Sequence, residues 1–192
     1  MFINNWKKEI FTIPNFLSLI RLLLIPIYIS IYLNATDPRE FFIAGAILIV
    51  SCMTDMIDGQ IARRFHMISN VGKLLDPLAD KLTQLALSLS LSFRYPVLRW
   101  VLILFLAKEF FQLITALIMF RKGKVLPGAI FAGKICTTVL FISFIALVLM
   151  PGLSETIVSI IALVDSFFLL YAFAGYVFAF YGSNTKLQDI EP

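Results

Sequence analysis

The sequence predicts an all-α integral membrane protein with six transmembrane helices and an amphipathic interfacial helix at its amino terminus. Hydrophobic residues make up 60% of the 192 residues and charged residues only 15%, a balance far more apolar than that of soluble domains. Apolar runs long enough to cross a hydrocarbon core of ~30 Å recur along the whole chain. None of these runs alternates as a strand would, and hydrocarbon excludes open sheet edges. We therefore expect one helical membrane domain that covers residues 1–192.

Short connections separate the six predicted spans, and several contain turn-forming pairs such as Asp37-Pro38 and Pro151-Gly152. At a rise of ~1.5 Å per residue, each span is long enough to cross the membrane as a helix. The six spans are Phe16–Leu33, Phe41–Arg64, Val71–Phe93, Val97–Arg121, Ala129–Met150 and Glu155–Tyr181.

The two ends of the chain differ from these spans in composition. In Met1–Ile13, Phe2 and other apolar residues share one side of a helix while Lys7 and Lys8 lie elsewhere. This pattern predicts an interfacial helix that lies on the cytoplasmic leaflet. Residues 183–192 are polar, and we expect them to form a disordered tail.

Positive charge is unequally divided between the two sides of the predicted helices. Cytoplasmic loops of membrane proteins carry an excess of Lys and Arg, so the bias predicts that both termini are cytoplasmic. The expected location is the cell (inner) membrane, which the chain would cross several times. The cations on the predicted cytoplasmic side are Lys7, Lys8, Arg63, Arg64, Lys73, Arg121, Lys122 and Lys124, and those opposite are Arg39, Arg94 and Arg99.

Four aspartates at fixed spacing lie inside the second and third predicted spans. With neighbouring small residues and an arginine they form the pattern D-x2-D-G-x2-A-R-x8-G-x3-D-x3-D. Each carboxylate in a membrane helix costs roughly 2.5–3.5 kcal/mol by insertion scales, so something must neutralise the four. A pair of divalent ions is the simplest candidate, because hard oxygen ligands suit magnesium, calcium and manganese. The four aspartates are Asp55, Asp58, Asp76 and Asp80.

The spacing also predicts that the four carboxylates meet. Asp55 and Asp58 are three residues apart and Asp76 and Asp80 are four apart, so each pair shares one face of its helix. Antiparallel neighbouring helices joined by a short link can bring these two faces together. Arg64 ends the second span near the cytoplasm, which leaves the predicted site sunk in the inner leaflet but open to the cytosol.

Small residues and one arginine adjoin the acids. Gly59, Ala62 and Gly72 would let a ligand or a neighbouring backbone come close, and Arg63 is suited to meet a phosphate. Acids, small residues and an arginine together suit a metal-bound pyrophosphate. Metals that bridge phosphate oxygens and stabilise a leaving phosphate are the general logic of phosphoryl transfer.

The pattern resembles the signature of the CDP-alcohol phosphotransferase family at every fixed position. The opening of the first span, IPNFLSLIRLLLIP at Ile13–Pro26, and the run LLDPLADK also look like this family. The resemblance implies six transmembrane helices, a homodimer and a site open to the inner leaflet. It further implies two divalent metal ions, Mg²⁺ or Mn²⁺, and transfer of a phosphate-linked group from a CDP-alcohol to an acceptor hydroxyl, with release of CMP. The expected partners are membrane lipids, and no nucleic acid.

The resemblance assigns a role to each motif residue. It implies that Asp55, Asp58 and Asp76 are metal ligands, and that Asp80 is both a metal ligand and the general base. The physical argument agrees for Asp80, because an alcohol is a poor nucleophile unless a nearby carboxylate accepts its proton in the transition state. The residues implied to line the CDP pocket are Asp58, Gly59, Ala62, Arg63 and Gly72.

Two short stretches bear on the acceptor alcohol. The bacterial branch that uses glycerol 3-phosphate often opens its fourth helix with Arg-Glu and its fifth with G-K-x-K-T. Here Lys108-Glu109 replaces the first pair, and Cys136 replaces the second lysine of the run. We expect CDP-diacylglycerol and glycerol 3-phosphate as substrates. A cardiolipin synthase, with phosphatidylglycerol as acceptor, is the first alternative, and inositol phosphate or serine are further ones. The candidate cations for the acceptor phosphate are Lys81, Lys108, Arg121 and Lys134.

Three alternatives stay open from the sequence. Lys108 could form a structural ion pair with Glu109 instead of binding an acceptor. Asp165, alone in the sixth span, could cap a helix break, pair with Arg21 or lie at a dimer contact. A cation transporter is the alternative from another functional class, because intramembrane acids also mark ion paths, although a transporter needs no strip of small residues beside its acids.

Overall fold

The computed structural model describes residues 12–64, 72–121 and 131–185, and nearly all of them are helical. Each predicted span corresponds to one helix, so the all-helical prediction is confirmed for these ranges. The helices of the described ranges are α1 (Ile13–Asn34), α2 (Pro38–Arg64), α3 (Gly72–Arg94), α4 (Leu98–Arg121), α5 (Phe131–Leu149) and α6 (Glu155–Thr185).

Four of the described helices are long and apolar enough to cross a membrane, as is typical of a membrane protein. α2 and α3 are not among them, because each carries acidic and basic side chains that lower its mean hydropathy. Any crossing by these two helices therefore depends on how their charges are neutralised. The four apolar segments are Asn15–Asn34, Leu98–Met119, Phe131–Leu149 and Glu155–Phe180.

The observed helix ends differ from the predicted ones at both termini. α1 begins at Ile13, and Thr12 caps it by accepting the N–H of Asn15 at 3.4 Å. Ile13 therefore starts α1 and does not end the predicted interfacial helix, whose residues 1–11 lie outside the described ranges. α6 continues to Thr185, inside the predicted tail, because an established helix extends with one hydrogen bond per added residue. The rest of that tail also lies outside the described ranges.

The chain divides into two compact units, and the first comprises residues 1–91 and 145–152. Within it, α1 packs along α2. The ring of Tyr32 stacks on that of Tyr28 with centroids 5.6 Å apart, and it meets the edge of the Phe41 ring at 5.7 Å. All three rings are almost completely buried, so the end of α1 and the start of α2 share a small aromatic core.

The turn between α1 and α2 is closed by the carboxylate of Glu40. This group accepts the backbone N–H of Thr36 at 2.6 Å and that of Asp37 at 3.1 Å. Both donors stabilise the charged form and hold the pKa of the Glu40 carboxyl below its usual value. Pro38 occupies the first helical position, where no N–H is needed. The connection is therefore a capped, short helical hairpin.

The second compact unit comprises the remainder of the chain, including α4, α6 and most of α5. Within it, α4 packs against α6, and the rings of Phe111 and Phe173 meet at 4.9 Å. Two charged side chains, Lys108 of α4 and Asp165 of α6, are buried in this unit. Buried charges in an apolar bundle require partners or a change of protonation state, so both are described below with the candidate site.

Candidate functional site

The predicted motif straddles the end of α2 and the start of α3. The backbone of α2 is helical through the whole acidic stretch, so the spacing of one turn between the two aspartates of α2 is confirmed. The side chains of these motif residues lie outside the described part of the structure, and their grouping stays a prediction. The motif residues of α2 are Asp55, Asp58, Gly59, Ala62 and Arg63.

The two aspartates of α3 both contact α1. The hydroxyl of Ser18 donates a hydrogen bond to Oδ1 of Asp76. The guanidinium of Arg21 donates from Nη1 to Oδ1 of Asp80 at 2.6 Å. Asp76 and Asp80 therefore share one face of α3, as predicted, and that face is turned towards α1. Gly72, the first residue of α3, is buried.

α1 and α3 run in the same direction along this contact. Ser18 and Arg21 meet Asp76 and Asp80 in ascending order. Further along both helices, Tyr28 of α1 and a serine of α3, Ser90, form a buried hydrogen bond of 2.9 Å between their hydroxyl groups. Two short connections, one on each side of α2, reverse the direction of the chain twice, so α1 and α3 are parallel. This arrangement aligns polar residues of α1 with polar residues of α3 over several turns, and the two acids belong to this series.

The described carboxylates supply part of the predicted metal site. Among the residues whose side chains the structure describes, no group of three or more His, Cys, Asp or Glu is arranged to hold a metal. Asp76 and Asp80 are two of the four predicted ligands, and the other two lie among the side chains not described. Both are hard oxygen donors of the kind that magnesium and manganese prefer. Asp80 is 45% exposed, so its carboxylate is accessible. The described half of the donor set therefore fits a divalent cation.

The four candidate cations for an acceptor phosphate differ in environment. Lys81, next to Asp80 on α3, is exposed and belongs to the first unit. Arg121 at the end of α4 and Lys134 near the start of α5 are also exposed, and both belong to the second unit. Each unit is compact by itself, so the common acceptor site expected for these residues stays a prediction.

Lys108, the fourth candidate, is buried. Its Nζ lies 2.6 Å from Oε1 of Glu109, and their side chains are only 7% and 16% exposed. Nζ also lies 5.9 Å from the centre of the Phe105 ring, a distance at which a cation is attracted to an aromatic face. The structural ion pair that the sequence left open is therefore present, and the charge of Lys108 is engaged within α4.

Sequence reasoning did not assign Ser18 or Arg21 to the site. Both lie in the first-helix segment Ile13–Pro26 that resembles the family opening. The signal that pointed to Arg21 is its charge, because an arginine inside an apolar helix requires a partner. The partner is Asp80, 59 positions later in the chain, a pairing that no local sequence pattern specifies.

Asp165 lies on α6 in the second unit and is completely buried. Among the described residues, no hydrogen bond of standard geometry reaches either of its carboxylate oxygens, although the side chain of Ser143 on α5 lies close enough to act on the group. Arg21, the partner that the sequence left open for Asp165, bonds to Asp80 within the first unit, and its pairing with Asp165 stays a prediction.

Comparison with known proteins assigns the sequence to a family. The sequence profile of the CDP-alcohol phosphatidyltransferase family matches residues 11–174 of the chain. That interval contains the whole motif as well as the α1 segment that contacts Asp76 and Asp80.

Individual relatives carry two different functional names. The chain is 35% identical over 170 residues to a cardiolipin synthase (CMP-forming) of Streptomyces coelicolor, an alignment that covers 88% of this chain and 76% of the relative. It is 36% identical over 151 residues to a CDP-diacylglycerol–glycerol-3-phosphate 3-phosphatidyltransferase of Bacillus subtilis, covering 72% and 77%. It is 30% identical over 135 residues to a probable phosphatidylglycerophosphate synthase of Mycobacterium tuberculosis, covering 69% and 64%. The chain therefore belongs to the CDP-alcohol phosphatidyltransferase family, whose members are transferases of phospholipid synthesis.

Proposed function

We propose that this protein transfers the phosphatidyl group of CDP-diacylglycerol to glycerol 3-phosphate and forms phosphatidylglycerophosphate and CMP. The relatives from Bacillus subtilis and Mycobacterium tuberculosis carry names for this activity. The single observation that carries the proposal is the paired presentation of Asp76 and Asp80 on one accessible face of α3, held by polar groups of α1. This arrangement lies inside the segment that matches the family.

In the proposed reaction, the acceptor hydroxyl attacks the phosphorus that carries the diacylglycerol group. The bond between this phosphorus and the oxygen of CMP breaks, and CMP leaves with the negative charge. Asp80 accepts the proton of the attacking hydroxyl, a role that its 45% exposure permits. Arg63 offsets charge on the pyrophosphate and on the leaving CMP.

The predicted cofactor is a pair of Mg²⁺ or Mn²⁺ ions. Asp55, Asp58, Asp76 and Asp80 would hold them, since four carboxylates offer enough oxygen ligands for two hard cations. When bound, such ions stabilise negative charge on phosphate oxygens. The proposed CDP pocket adjoins these acids, and Gly72 at the start of α3 would let a ligand come close because it has no side chain. Its residues are Asp58, Gly59, Ala62, Arg63 and Gly72.

The proposed membrane arrangement follows from the same chemistry. We propose that all six described helices cross the cell (inner) membrane, with both termini in the cytoplasm and the motif in the inner leaflet. This places the acids where a substrate with two acyl chains arrives laterally and a water-soluble acceptor arrives from the cytosol. The distribution of Lys and Arg supports the orientation. We also propose a homodimer, as the family resemblance implies.

A cardiolipin synthase is the second candidate function, because a specific observation favours it. The ion pair with Glu109 engages the charge of Lys108, which leaves Lys81, Arg121 and Lys134 as the exposed candidates. Phosphatidylglycerol is a phosphodiester with one negative charge, whereas glycerol 3-phosphate carries up to two. A smaller set of cations therefore suits the lipid acceptor, and the relative from Streptomyces coelicolor carries that name.

The acceptor is tested directly with purified protein in detergent micelles. Radiolabelled CDP-diacylglycerol is offered with Mg²⁺ or Mn²⁺ and one acceptor at a time: glycerol 3-phosphate, phosphatidylglycerol, inositol phosphate or serine. We expect CMP release and labelled phosphatidylglycerophosphate with glycerol 3-phosphate. Labelled cardiolipin with phosphatidylglycerol alone would support the second candidate. No CMP release with any acceptor would overturn the transferase proposal and favour the cation transporter.

A further inference from the structure

We propose that Arg21 is a positioning residue for the proposed general base, so that this one side chain of α1 orients the carboxylate of Asp80. Arg21 lies outside the acidic motif, on a helix to which sequence reasoning assigned no chemical role. The inference rests on the proposed function, in which Asp80 accepts the proton of the acceptor hydroxyl. Its structural basis is the contact of 2.6 Å between Nη1 of Arg21 and Oδ1 of Asp80.

The burial of Arg21 restricts the direction from which its guanidinium contacts Asp80. The side chain of Arg21 is 2% exposed while that of Asp80 is 45% exposed. A buried guanidinium enclosed by packed helices has few alternative rotamers, and its rigid, planar donor set has a fixed direction. The half-exposed carboxylate of Asp80 is less confined by packing than the guanidinium. The contact therefore fixes Oδ1 of Asp80 on the side of α1 and determines where the second carboxylate oxygen points.

The neighbouring acid is held in the same way. The hydroxyl of Ser18, which is completely buried, donates to Oδ1 of Asp76 one turn earlier on α3. Both described acids of the motif are thus tied to α1 through Oδ1. Each carboxylate has a second oxygen, and binding of one cation or one proton requires only a single oxygen. α1 therefore restrains the orientation of both acids through one oxygen of each.

Electrostatics gives a second reason for an arginine at this position. A carboxylate inside a membrane protein is strongly penalised unless a partner offsets its charge, and Arg21 is a buried cation in direct contact with Asp80.

The proposal is tested with Arg21→Met, which removes the donor and the charge but keeps a similar stem, and with Arg21→Lys, which keeps the charge. Tyr28→Phe is the matched control, because it deletes another buried hydrogen bond between α1 and α3, the one to Ser90. The kcat and KM for CDP-diacylglycerol are measured for each. We expect Arg21→Met to lower kcat at least about tenfold with KM within about threefold. Arg21→Lys should restore part of kcat, and Tyr28→Phe should keep it.

A second measurement does not depend on activity. Melting temperatures in detergent with chelator are recorded for Arg21→Met, Asp80→Asn and the double variant. A direct pair predicts that the two shifts are not additive, whereas Tyr28→Phe combined with Asp80→Asn should be additive. Additive shifts for the Arg21 pair, or a kcat of Arg21→Met no lower than that of Tyr28→Phe, would overturn the proposal. Absence of CMP release by the unmodified protein would overturn the proposed function instead, and the melting cycle would still test the pair.

Discussion

Lys108 and Glu109 follow each other on α4, and their side chains form an ion pair with Nζ 2.6 Å from Oε1. Consecutive residues on a helix point in different directions, so such neighbours do not normally face each other. Only long side chains that bend towards each other can meet in this way. The pair therefore neutralises a buried charge locally, and this affects both the stability of α4 and the search for the acceptor site.

The first prediction concerns this pair. Lys108→Met leaves Glu109, which is 16% exposed, without its cation. Removing one partner of a buried pair costs about 3–5 kcal/mol, whereas replacing both is often neutral. We expect a marked fall in the melting temperature for Lys108→Met and recovery in Lys108→Met/Glu109→Leu. A double variant less stable than Lys108→Met would contradict a structural pair. A tenfold higher KM for glycerol 3-phosphate in the double variant would assign Lys108 to acceptor binding.

The second prediction concerns the proposed base. Asp80→Asn should lower CMP release by about 10²-fold or more, because the amide has no basic oxygen to accept a proton. The amide oxygen still accepts a hydrogen bond from Arg21, so we expect the variant to stay folded in a detergent melting assay. Asp37→Asn is the control, since it removes an exposed acid from the turn before α2. A rate for Asp80→Asn close to that of the control would exclude Asp80 as the base.

The third prediction concerns metal removal. A strong chelator should abolish CMP release, and excess Mg²⁺ or Mn²⁺ should restore it, because the carboxylates of the motif would otherwise repel the pyrophosphate. The control is a melting curve in the same chelator, which separates loss of activity from loss of fold. Full activity after exhaustive chelation would remove the divalent ions from the proposed mechanism.

The fourth prediction concerns the contact of α5 with α6. A Cβ on Gly133 would lie 2.6 Å from Oη of Tyr176. We expect Gly133→Ala to destabilise the protein by about 1–3 kcal/mol through overpacking. Gly133→Ala/Tyr176→Phe should recover part of this loss, because the hydroxyl that collides is gone. Gly152→Ala is the control, since a Cβ there meets no atom within 4 Å. Equal melting temperatures for Gly133→Ala and Gly152→Ala would show that the contact is not tight.

Helix positions in this protein are predictable from local sequence alone. Each apolar run became one helix with ends close to the predicted ones, because helix formation depends on hydrogen bonds and side chains within a few residues. The boundary errors occurred where local signals compete. Thr12 caps α1 one residue before the predicted end of the interfacial helix, and α6 extends past Tyr181, where the last predicted span ends.

The acidic motif by itself determined the family, the type of reaction and the candidate ligands, because its residues and spacing are fixed in the sequence. Only the tertiary structure decided which groups hold the acids of α3. Ser18 and Arg21 reach Asp76 and Asp80 across 58 and 59 positions, and such contacts depend on how α1 and α3 are aligned. Likewise, the sequence offered Glu109 as one possible partner of Lys108, but only the structure decided that this ion pair forms.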